Sequence, residues 1–156
     1  MTKTSAGLLL YRRTPQGPEV FLIHPGGPFW AKKDAWSIPK GEYLDGEPPL
    51  EAARREFQEE TGSPLAIDLP DSDFIPLGVI TQHAGKEVTA WAVEGDFDPA
   101  TLVSNTCLVE WPPRSGRQIE IPEADRAAWF DLPTAREKIF RGQEALLDRL
   151  EAHLAN

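Results

Sequence analysis

Two apolar runs near the start of the chain predict a pair of β-strands. Residues 3–13 contain three consecutive leucines, residues 19–24 read Glu-Val-Phe-Leu-Ile-His, and the turn-forming segment 14–18 lies between them. Glycine and proline interrupt the pattern over residues 25–35, which therefore predicts a loop. Residues 36–41 then predict a short strand that leads into the next element.

A helical period follows and predicts an α-helix from about residue 48 to residue 61. Pro48 and Pro49 suit the first turn, where backbone N–H groups have no partner inside the helix, and Gly62 supplies a stop. At about 100° per residue, the apolar side chains form one stripe, and three glutamates lie within an arc of roughly 100° beside it. These glutamates are Glu56, Glu59 and Glu60.

Beyond this helix, the pattern alternates between strands and helices. Residues 65–67 are a strand candidate, and residues 74–81 and 86–94 predict two strands around a hairpin loop that contains His83. The remaining predicted elements are a strand over 107–113, a strand that ends in Trp129-Phe130, and helices over 133–140 and 143–154. The order of elements indicates an α/β fold.

Composition and charge narrow the classes of function. The chain has 156 residues, with 25 acidic and 16 basic side chains and a formal net charge of -9. This balance argues against broad electrostatic binding to nucleic acid polymers or anionic membranes. No stretch approaches the ~20 apolar residues of a membrane span, and the first residues carry no export signal. With Cys107 as its single cysteine, the sequence predicts one cytoplasmic domain over residues 1–156.

The three clustered glutamates are the strongest chemical feature of the pattern. Carboxylates held this close raise one another's pKa, and bound cations are the usual chemical reason for such an arrangement. Hard oxygen ligands favour Mg²⁺ or Mn²⁺, which bind at sites shared with substrate phosphates. A solvated acidic helix face is the alternative that the helix by itself leaves open.

The spacing around the helix resembles the Nudix box, the motif of hydrolases that act on a nucleoside diphosphate linked to another group. Gly41 is followed by five residues, Glu47 and seven more residues, and then by Arg55-Glu56-Phe57-Gln58-Glu59-Glu60-Thr61-Gly62. Every charged and glycine position of the box is filled, whereas Ser63 replaces the usual aliphatic residue. The lead-in Trp36-Ser37-Ile38-Pro39-Lys40 and the Trp-Phe strand are similar to the family as well.

The resemblance implies an α/β/α sandwich around a mixed β-sheet and a set of residue roles. The implied metal ligands are Glu56, Glu59, Glu60 and the carbonyl of Gly41. Arg55 is implied to orient the site by pairing with Glu47. An arginine fork that holds a carboxylate bidentately would brace the loop before the helix against the helix itself.

A general base must lie within hydrogen-bond reach of the attacking water. The candidates inside the box are Glu56 and Glu59. The candidates outside it are Glu120 and Glu123, in the predicted loop before the Trp-Phe strand, and Glu110. Each of these last three is also compatible with a surface carboxylate.

Substrate contacts are predicted from position in the chain. Lys40, beside the box glycine, is a candidate phosphate contact or a surface lysine, and Trp30, in the glycine-rich loop, is a candidate for base stacking. The other tryptophans in apolar strands, Trp36, Trp111 and Trp129, are expected in the core. His24 and His83 are interpreted as structural in the first place, with substrate contact as the alternative.

The expected activity is divalent-metal-dependent hydrolysis of a phosphoanhydride bond in a small-molecule nucleotide. The Trp-Ser-Ile-Pro-Lys-Gly lead-in favours a dinucleoside polyphosphate or a nucleoside triphosphate. Cleavage of ADP-ribose or a nucleotide sugar is one alternative, and a non-catalytic nucleotide sensor is another. The leucine face of the last helix either closes the core or meets a second chain, so that a homodimer stays open.

Overall fold

The computed structural model describes residues 4–82 and 85–155. The strands are β1 (Thr4–Thr14), β2 (Gly17–Pro25), β3 (Lys40–Glu42), β4 (Ile75–Thr81), β5 (Glu87–Glu94), β6 (Thr106–Glu110), β7 (Gln118–Pro122) and β8 (Ala124–Asp131). The α-helices are α1 (Pro49–Thr61), α2 (Leu65–Asp68), α3 (Leu132–Lys138) and α4 (Glu144–Leu154). Short 3-10 turns lie at Asp71–Asp73, Pro99–Thr101 and Arg141–Gln143.

The main sheet is mixed, as the sequence predicts. Its order is β4-β5-β1-β2-β8, and β3 pairs with β1 off this path. β1 runs parallel to β5, whereas β1–β2, β2–β8, β4–β5 and β1–β3 are antiparallel. Strands β1 and β2 are apolar on both faces because both faces of the sheet are covered.

Two buried clusters lie on opposite faces of this sheet. One contains Leu9 and Leu22 of the sheet with Leu146, Leu147 and Leu150 of α4. The other packs Phe57 of α1 against further side chains of the same strands. The leucine face of α4 therefore closes the core of its own chain, and the fold is an α/β/α sandwich.

Helix α1 has the ends that its sequence predicts. Pro48 is the N-cap and Pro49 occupies the first turn, while Gly62 ends the helix in the left-handed conformation with φ of 80°. The buried side of the helix includes Phe57, but it also includes Glu56 and Glu60. Two carboxylates are thus carried into the protein beside the apolar stripe.

Two predicted elements differ from the structure. The predicted strand over residues 65–67 is wrong: Leu65–Asp68 is a helical turn in which the Pro64 carbonyl accepts from the N–H groups of Ile67 and Asp68. A three-residue apolar run has no period that separates strand from helix. The predicted strand over residues 36–41 shrinks to isolated bridges and to Lys40–Glu42, because Pro39 has no N–H for a ladder.

A two-stranded sheet of β6 and β7 stands beside the main sheet. Cys107 pairs with Ile121, and Val109 pairs with Ile119. Strand β7 is not predicted from the sequence, which places Glu120 in a loop, although polar residues alternate with isoleucines along this strand. No helix within residues 4–82 and 85–155 is long and apolar enough to cross a bilayer.

Candidate active site

Three carboxylates converge where α1 faces the segment between β7 and β8. Glu56 and Glu60 come from consecutive turns of α1, and Glu123 comes from the β7–β8 junction; one oxygen of each lies within 4.8 Å of the others. The backbone of Glu123 is held on both sides, since its N–H donates to the Asn105 carbonyl at 2.8 Å and its carbonyl accepts from Gly26 at 3.1 Å. The acidic cluster is defined here as Glu56, Glu60 and Glu123.

The electrostatics of the acidic cluster oppose ionisation. Burial raises the pKa of Glu60 well above its ordinary value, and the negative charges of Glu56 and Glu123 raise it further. Burial also raises the pKa values of Glu56 and Glu123, although Arg55 opposes the shift in both. Three acids held in this state favour either protons or a cation.

A buried oxygen without a partner identifies the cation as the better fit. Oε2 of Glu60 is buried and accepts no hydrogen bond from any residue in 4–82 or 85–155. A buried carboxylate oxygen is costly to leave unsatisfied, and a hard divalent cation is the ligand that three carboxylates satisfy best. The residues therefore fit Mg²⁺ or Mn²⁺.

Gly41 is required by the close approach of the Glu56 carboxylate. A Cβ at position 41 would overlap the carboxylate carbon and both oxygens of Glu56. The Gly41 backbone, on β3, therefore lies directly against the acidic cluster. This position agrees with the predicted contribution of the Gly41 carbonyl to a metal site, which stays a prediction.

Arg55 joins the loop before α1 to the carboxylates on the helix. Its Nε and Nη2 donate to the two oxygens of Glu47 at 2.9 and 3.0 Å, which is the bidentate pair expected from the sequence. Its Nη1 donates to Glu56 at 2.8 Å and to Glu59 at 3.0 Å, and Nη2 also reaches the Glu42 carbonyl. Arg55 lowers the pKa of Glu47 and, in return, its own pKa is raised.

Glu59 lies beside the acidic cluster but outside it. Its carboxylate is bonded to Arg55 and its side chain is 35% exposed, compared with 11% for Glu56. Its negative charge still raises the pKa of Glu123. The predicted role of Glu59 as a metal ligand or base remains a prediction.

Lys40, on β3, lies close enough to the acidic cluster for its charge to interact with Glu60 and Glu56. Burial lowers the pKa of the Lys40 ammonium and Lys86 lowers it further, while the carboxylates of Glu60 and Glu56 oppose the shift. Its backbone also bonds the Glu60 carboxylate. The structure thus places Lys40 at the site rather than on a distant surface.

A cavity of about 610 Å³ opens from the acidic cluster toward aromatic and proline side chains. This volume falls in the range of roughly 300–1,000 Å³ that is typical of small-molecule sites. Its walls come from the loop after β2, from β3 and from the β6–β7 hairpin. The apolar side chains that line it are Pro25, Pro28, Phe29, Trp30, Val109, Trp111, Pro113, Ile121 and Pro122.

The structure separates the three candidate acids that lie outside the box. Glu120 lies on β7 rather than in a loop, is exposed, and accepts from Thr106 Oγ1 at 3.0 Å, so it is not brought to the acidic cluster. Both oxygens of Glu110 accept backbone N–H groups, those of Arg114 and Gly116. Glu123 is the outlying acid that reaches the site.

Trp111 is not a core residue. It follows β6, is half-buried and lines the cavity, whereas Trp36 is buried as expected and Trp129 is half-buried against Phe21. The apolar residues within 107–111 predict a strand in the core. In the structure, one side of the hairpin that contains them faces the cavity. Trp30 lines the cavity too, as the loop prediction implied.

His24 is fully buried and bound on both sides of its ring. Nδ1 lies 2.9 Å from the Asp125 carboxylate, and Nε2 lies 2.6 Å from the Lys33 carbonyl. These bonds tie the loop after β2 to the start of β8, which agrees with the structural interpretation of this histidine. His83 lies outside the described residues.

Solved structures with the same architecture include two nucleotide-binding examples. An Ap4A hydrolase from C. elegans, solved as a binary complex, has a TM-score of 0.66 at 22% identity and covers 97% of this chain and 98% of its own. The NUDIX domain of NrtR from Shewanella oneidensis, complexed with ADP ribose, has a TM-score of 0.67 at 12% identity, covering 99% of this chain and 89% of its own. At these identities the likeness establishes the fold alone.

Two curated proteins are similar in sequence. An RNA pyrophosphohydrolase from Rhizobium meliloti (strain 1021) is 32% identical over 104 residues, which are 60% of this chain and 57% of that protein. An octanoyltransferase from Myxococcus xanthus is 31% identical over 118 residues, 75% of this chain and 29% of that protein. The chain thus spans about a third to just over half of their lengths. A family model, the NUDIX domain, matches residues 1–150, and the chain belongs to this family.

Proposed function

We propose that this protein is a divalent-metal-dependent hydrolase that cleaves a phosphoanhydride bond in a nucleoside diphosphate derivative. The observation that carries the proposal is the unpartnered, buried Oε2 of Glu60 within the acidic cluster, at one end of a cavity of small-molecule size. Such an oxygen is explained by a cation, and a cation at this end of the cavity attracts phosphate. A dinucleoside polyphosphate or a nucleoside triphosphate is the proposed substrate class.

The ions would be held by Glu56 and Glu60, with the Gly41 carbonyl beside them and Glu59 as a further candidate, which leaves Glu123 free for another role. When bound, divalent cations neutralise the charge that develops on the leaving phosphate and lower the pKa of an attacking water. Lys40 would hold a phosphate oxygen, because this residue lines the same cavity. Its desolvation strengthens that contact.

Arg55 would keep the carboxylates in register without touching the substrate. It holds Glu47 bidentately and reaches Glu56 and Glu59 with a third nitrogen. A side chain that fixes liganding carboxylates in this way supports both affinity and geometry. Arg55 is therefore proposed as a positioning residue.

Glu123 is proposed to accept the proton of the attacking water. Within the described part of the chain, no group donates a hydrogen bond to its carboxylate, and burial raises its pKa toward the range that suits a general base. Water oxygen bonds to phosphorus, the anhydride oxygen leaves with its phosphate, and the water proton passes to Glu123. The products are two phosphate-terminated fragments.

Cleavage of ADP-ribose or a nucleotide sugar is the nearest alternative, since the same chemistry applies to their diphosphate. A non-catalytic sensor is the other, although all four box glutamates are retained. The structural likeness to a NUDIX domain complexed with ADP ribose does not distinguish between these alternative functions. A cytoplasmic location and a single domain over residues 1–156 stay proposals, and the oligomeric state stays open.

The test is product analysis by chromatography. Purified protein is incubated with Mg²⁺ or Mn²⁺ and with dinucleoside polyphosphates, nucleoside triphosphates, ADP-ribose and nucleotide sugars. We expect cleavage of one class, with activity abolished by a chelator and restored by metal. Absence of cleavage across the whole panel, with nucleotides still bound, would support the sensor instead.

A further inference from the structure

We propose that Trp111 is the residue on which the base of the nucleotide substrate stacks. The inference rests on the proposed function and adds the recognition element that the acidic cluster lacks. It assigns the aromatic end of the cavity, defined here as Phe29, Trp30 and Trp111, to the base, and the acidic cluster to the phosphates.

Trp111 has a ring that is available to a ligand. The side chain is half-buried, lines the cavity, and meets no aromatic ring or cationic side chain within residues 4–82 and 85–155. A planar base has a π-face of its own, and base–aromatic stacking is tolerant of base identity. The exposed face of Trp111 is thus suited to a purine or pyrimidine.

Trp30, the residue predicted from the sequence for this role, is already engaged. Its ring centroid lies 4.9 Å from that of Phe29 in a T-shaped contact and 5.3 Å from that of Phe140. The Lys33 ammonium lies 5.2 Å from the same ring. These partners fix Trp30 as part of the cavity wall and leave Trp111 as the better stacking surface.

The backbone around Trp111 is pre-organised. Its N–H donates to the Arg117 carbonyl at 2.9 Å, and the Glu110 carboxylate accepts the N–H groups of Arg114 and Gly116 at 3.0 and 3.1 Å. The hairpin tip is therefore closed by its own hydrogen bonds. A rigid aromatic surface loses little entropy when a ligand binds to it.

The same hairpin connects the two ends of the cavity. Gln118 pairs with Glu110 beside Trp111, and β7 then runs through Ile121 to Pro122, which directly precedes Glu123. The four residue steps of β7 span about 13 Å at ~3.3 Å per residue. This separation leaves room for a sugar and a phosphate chain between a base on Trp111 and the acidic cluster.

The experiment compares binding of AMP with binding of ribose 5-phosphate, measured by calorimetry on the wild type, Trp111→Ala and Trp111→Phe. Neither ligand contains an anhydride bond, so neither is consumed. Leu108→Ala is the matched control, because Leu108 lies on the same hairpin and is 66% exposed on its outer face. Thermal unfolding of each variant reports whether it is folded.

We expect wild type and Leu108→Ala to bind AMP more tightly than ribose 5-phosphate. Trp111→Ala should weaken AMP binding about ten- to hundredfold and leave ribose 5-phosphate unchanged, while Trp111→Phe retains most of the AMP affinity. With a cleaved nucleotide, the same loss should appear in KM rather than kcat.

Either of two results would overturn the assignment: unchanged AMP affinity in folded Trp111→Ala, or equal losses for both ligands. If the wild type cleaves nucleotides and Trp111→Ala has an unchanged KM, then Trp111 is not the stacking residue. The proposed hydrolase activity is unaffected by that result. Wild type that binds no nucleotide and cleaves none refutes both.

Discussion

The two ends of the cavity are built in opposite ways. The acidic cluster consists of carboxyl groups and is largely buried, and two of its three members come from adjacent turns of one helix. The aromatic end is apolar and partly exposed, and it combines a loop after β2 with the tip of a distant hairpin. Chemistry at the first end requires fixed distances, which a packed helix supplies. Recognition at the second end needs only a surface of suitable shape.

This contrast teaches where substitutions should act. Changes in the acidic cluster should reduce turnover and leave binding of the base intact. Changes at the aromatic end should reduce affinity and leave the reaction intact. Variants of the acidic cluster and of Arg55 test the first of these expectations, and variants of Trp111 test the second.

The largest effect is expected for Glu123→Gln. This change removes a proton acceptor and one of the three converging carboxylates, so kcat should fall by about 10²–10⁴. Initial rates of nucleotide cleavage, measured with saturating metal and substrate, report it.

Glu120→Gln is the matched control for that experiment. Glu120 lies three residues away on β7 but is exposed and bonded to Thr106, so its substitution should leave kcat within a factor of two or so. Equal activity in Glu123→Gln and the control would remove Glu123 from the site.

A smaller effect is expected for Arg55→Lys. A lysine keeps the positive charge but has a single ammonium in place of the fork that reaches Glu47, Glu56 and Glu59. We expect kcat/KM to fall about 10- to 100-fold and the metal concentration for half-maximal rate to rise.

Arg54→Lys provides the comparison for Arg55→Lys. Arg54 precedes Arg55 on α1 but points toward Asp71 and Phe74, away from the acidic cluster. The cleavage rate and the metal requirement of Arg54→Lys should stay close to those of the wild type. A similar metal requirement in both variants would contradict the positioning role of Arg55.

The smallest effect is a gain in stability of the metal-free protein in Glu60→Gln. The folded-state pKa of Glu60 is raised well above its ordinary value of 4.5. Above pH 4.5 the folded protein therefore retains a proton that the unfolded chain has released, and the free energy of unfolding falls as the pH rises. Glutamine does not titrate, so the variant should be more stable than wild type at pH 7, and the difference should grow as the pH rises.

Urea unfolding in the presence of a chelator, from pH 4 to pH 8, measures this difference. The difference in the free energy of unfolding between Glu60→Gln and wild type should shrink toward zero at low pH, where Glu60 is protonated in both the folded and the unfolded protein. Glu51→Gln, on the exposed side of the same helix, is the control for the loss of one carboxylate from α1. A variant that is less stable than wild type at pH 7 would show that the Glu60 carboxylate is not strained.

Local sequence was sufficient for the box segment. The limits of α1 and the position of the glutamates beside its apolar stripe follow from helical spacing and capping residues within about twenty positions, and the pairing of Arg55 with Glu47 follows from the resemblance to the family. The strands β1 and β2 were equally clear, because long apolar runs leave little ambiguity.

The aromatic end and the third carboxylate were not accessible in the same way. The sequence predicts a loop at Glu120 and Glu123, which leaves these two acids equivalent, and it predicts Trp111 in the core. In the structure, β7 turns Glu120 outward and delivers Glu123 to α1, more than sixty residues earlier in the chain. A short alternating strand carries too weak a pattern to show which side will meet a distant helix.

The sequence by itself determined the family resemblance, the helix that carries Glu56, Glu59 and Glu60, and the chemical class of the site, because each depends on spacing along one element. The tertiary structure decided that Glu123 completes the acidic cluster, that Glu59 stays with Arg55, and that Trp30 rather than Trp111 has aromatic neighbours among the described residues. Those outcomes depend on how strands far apart in the chain pack together, and side-chain surroundings of that kind are set by the whole fold rather than by local pattern.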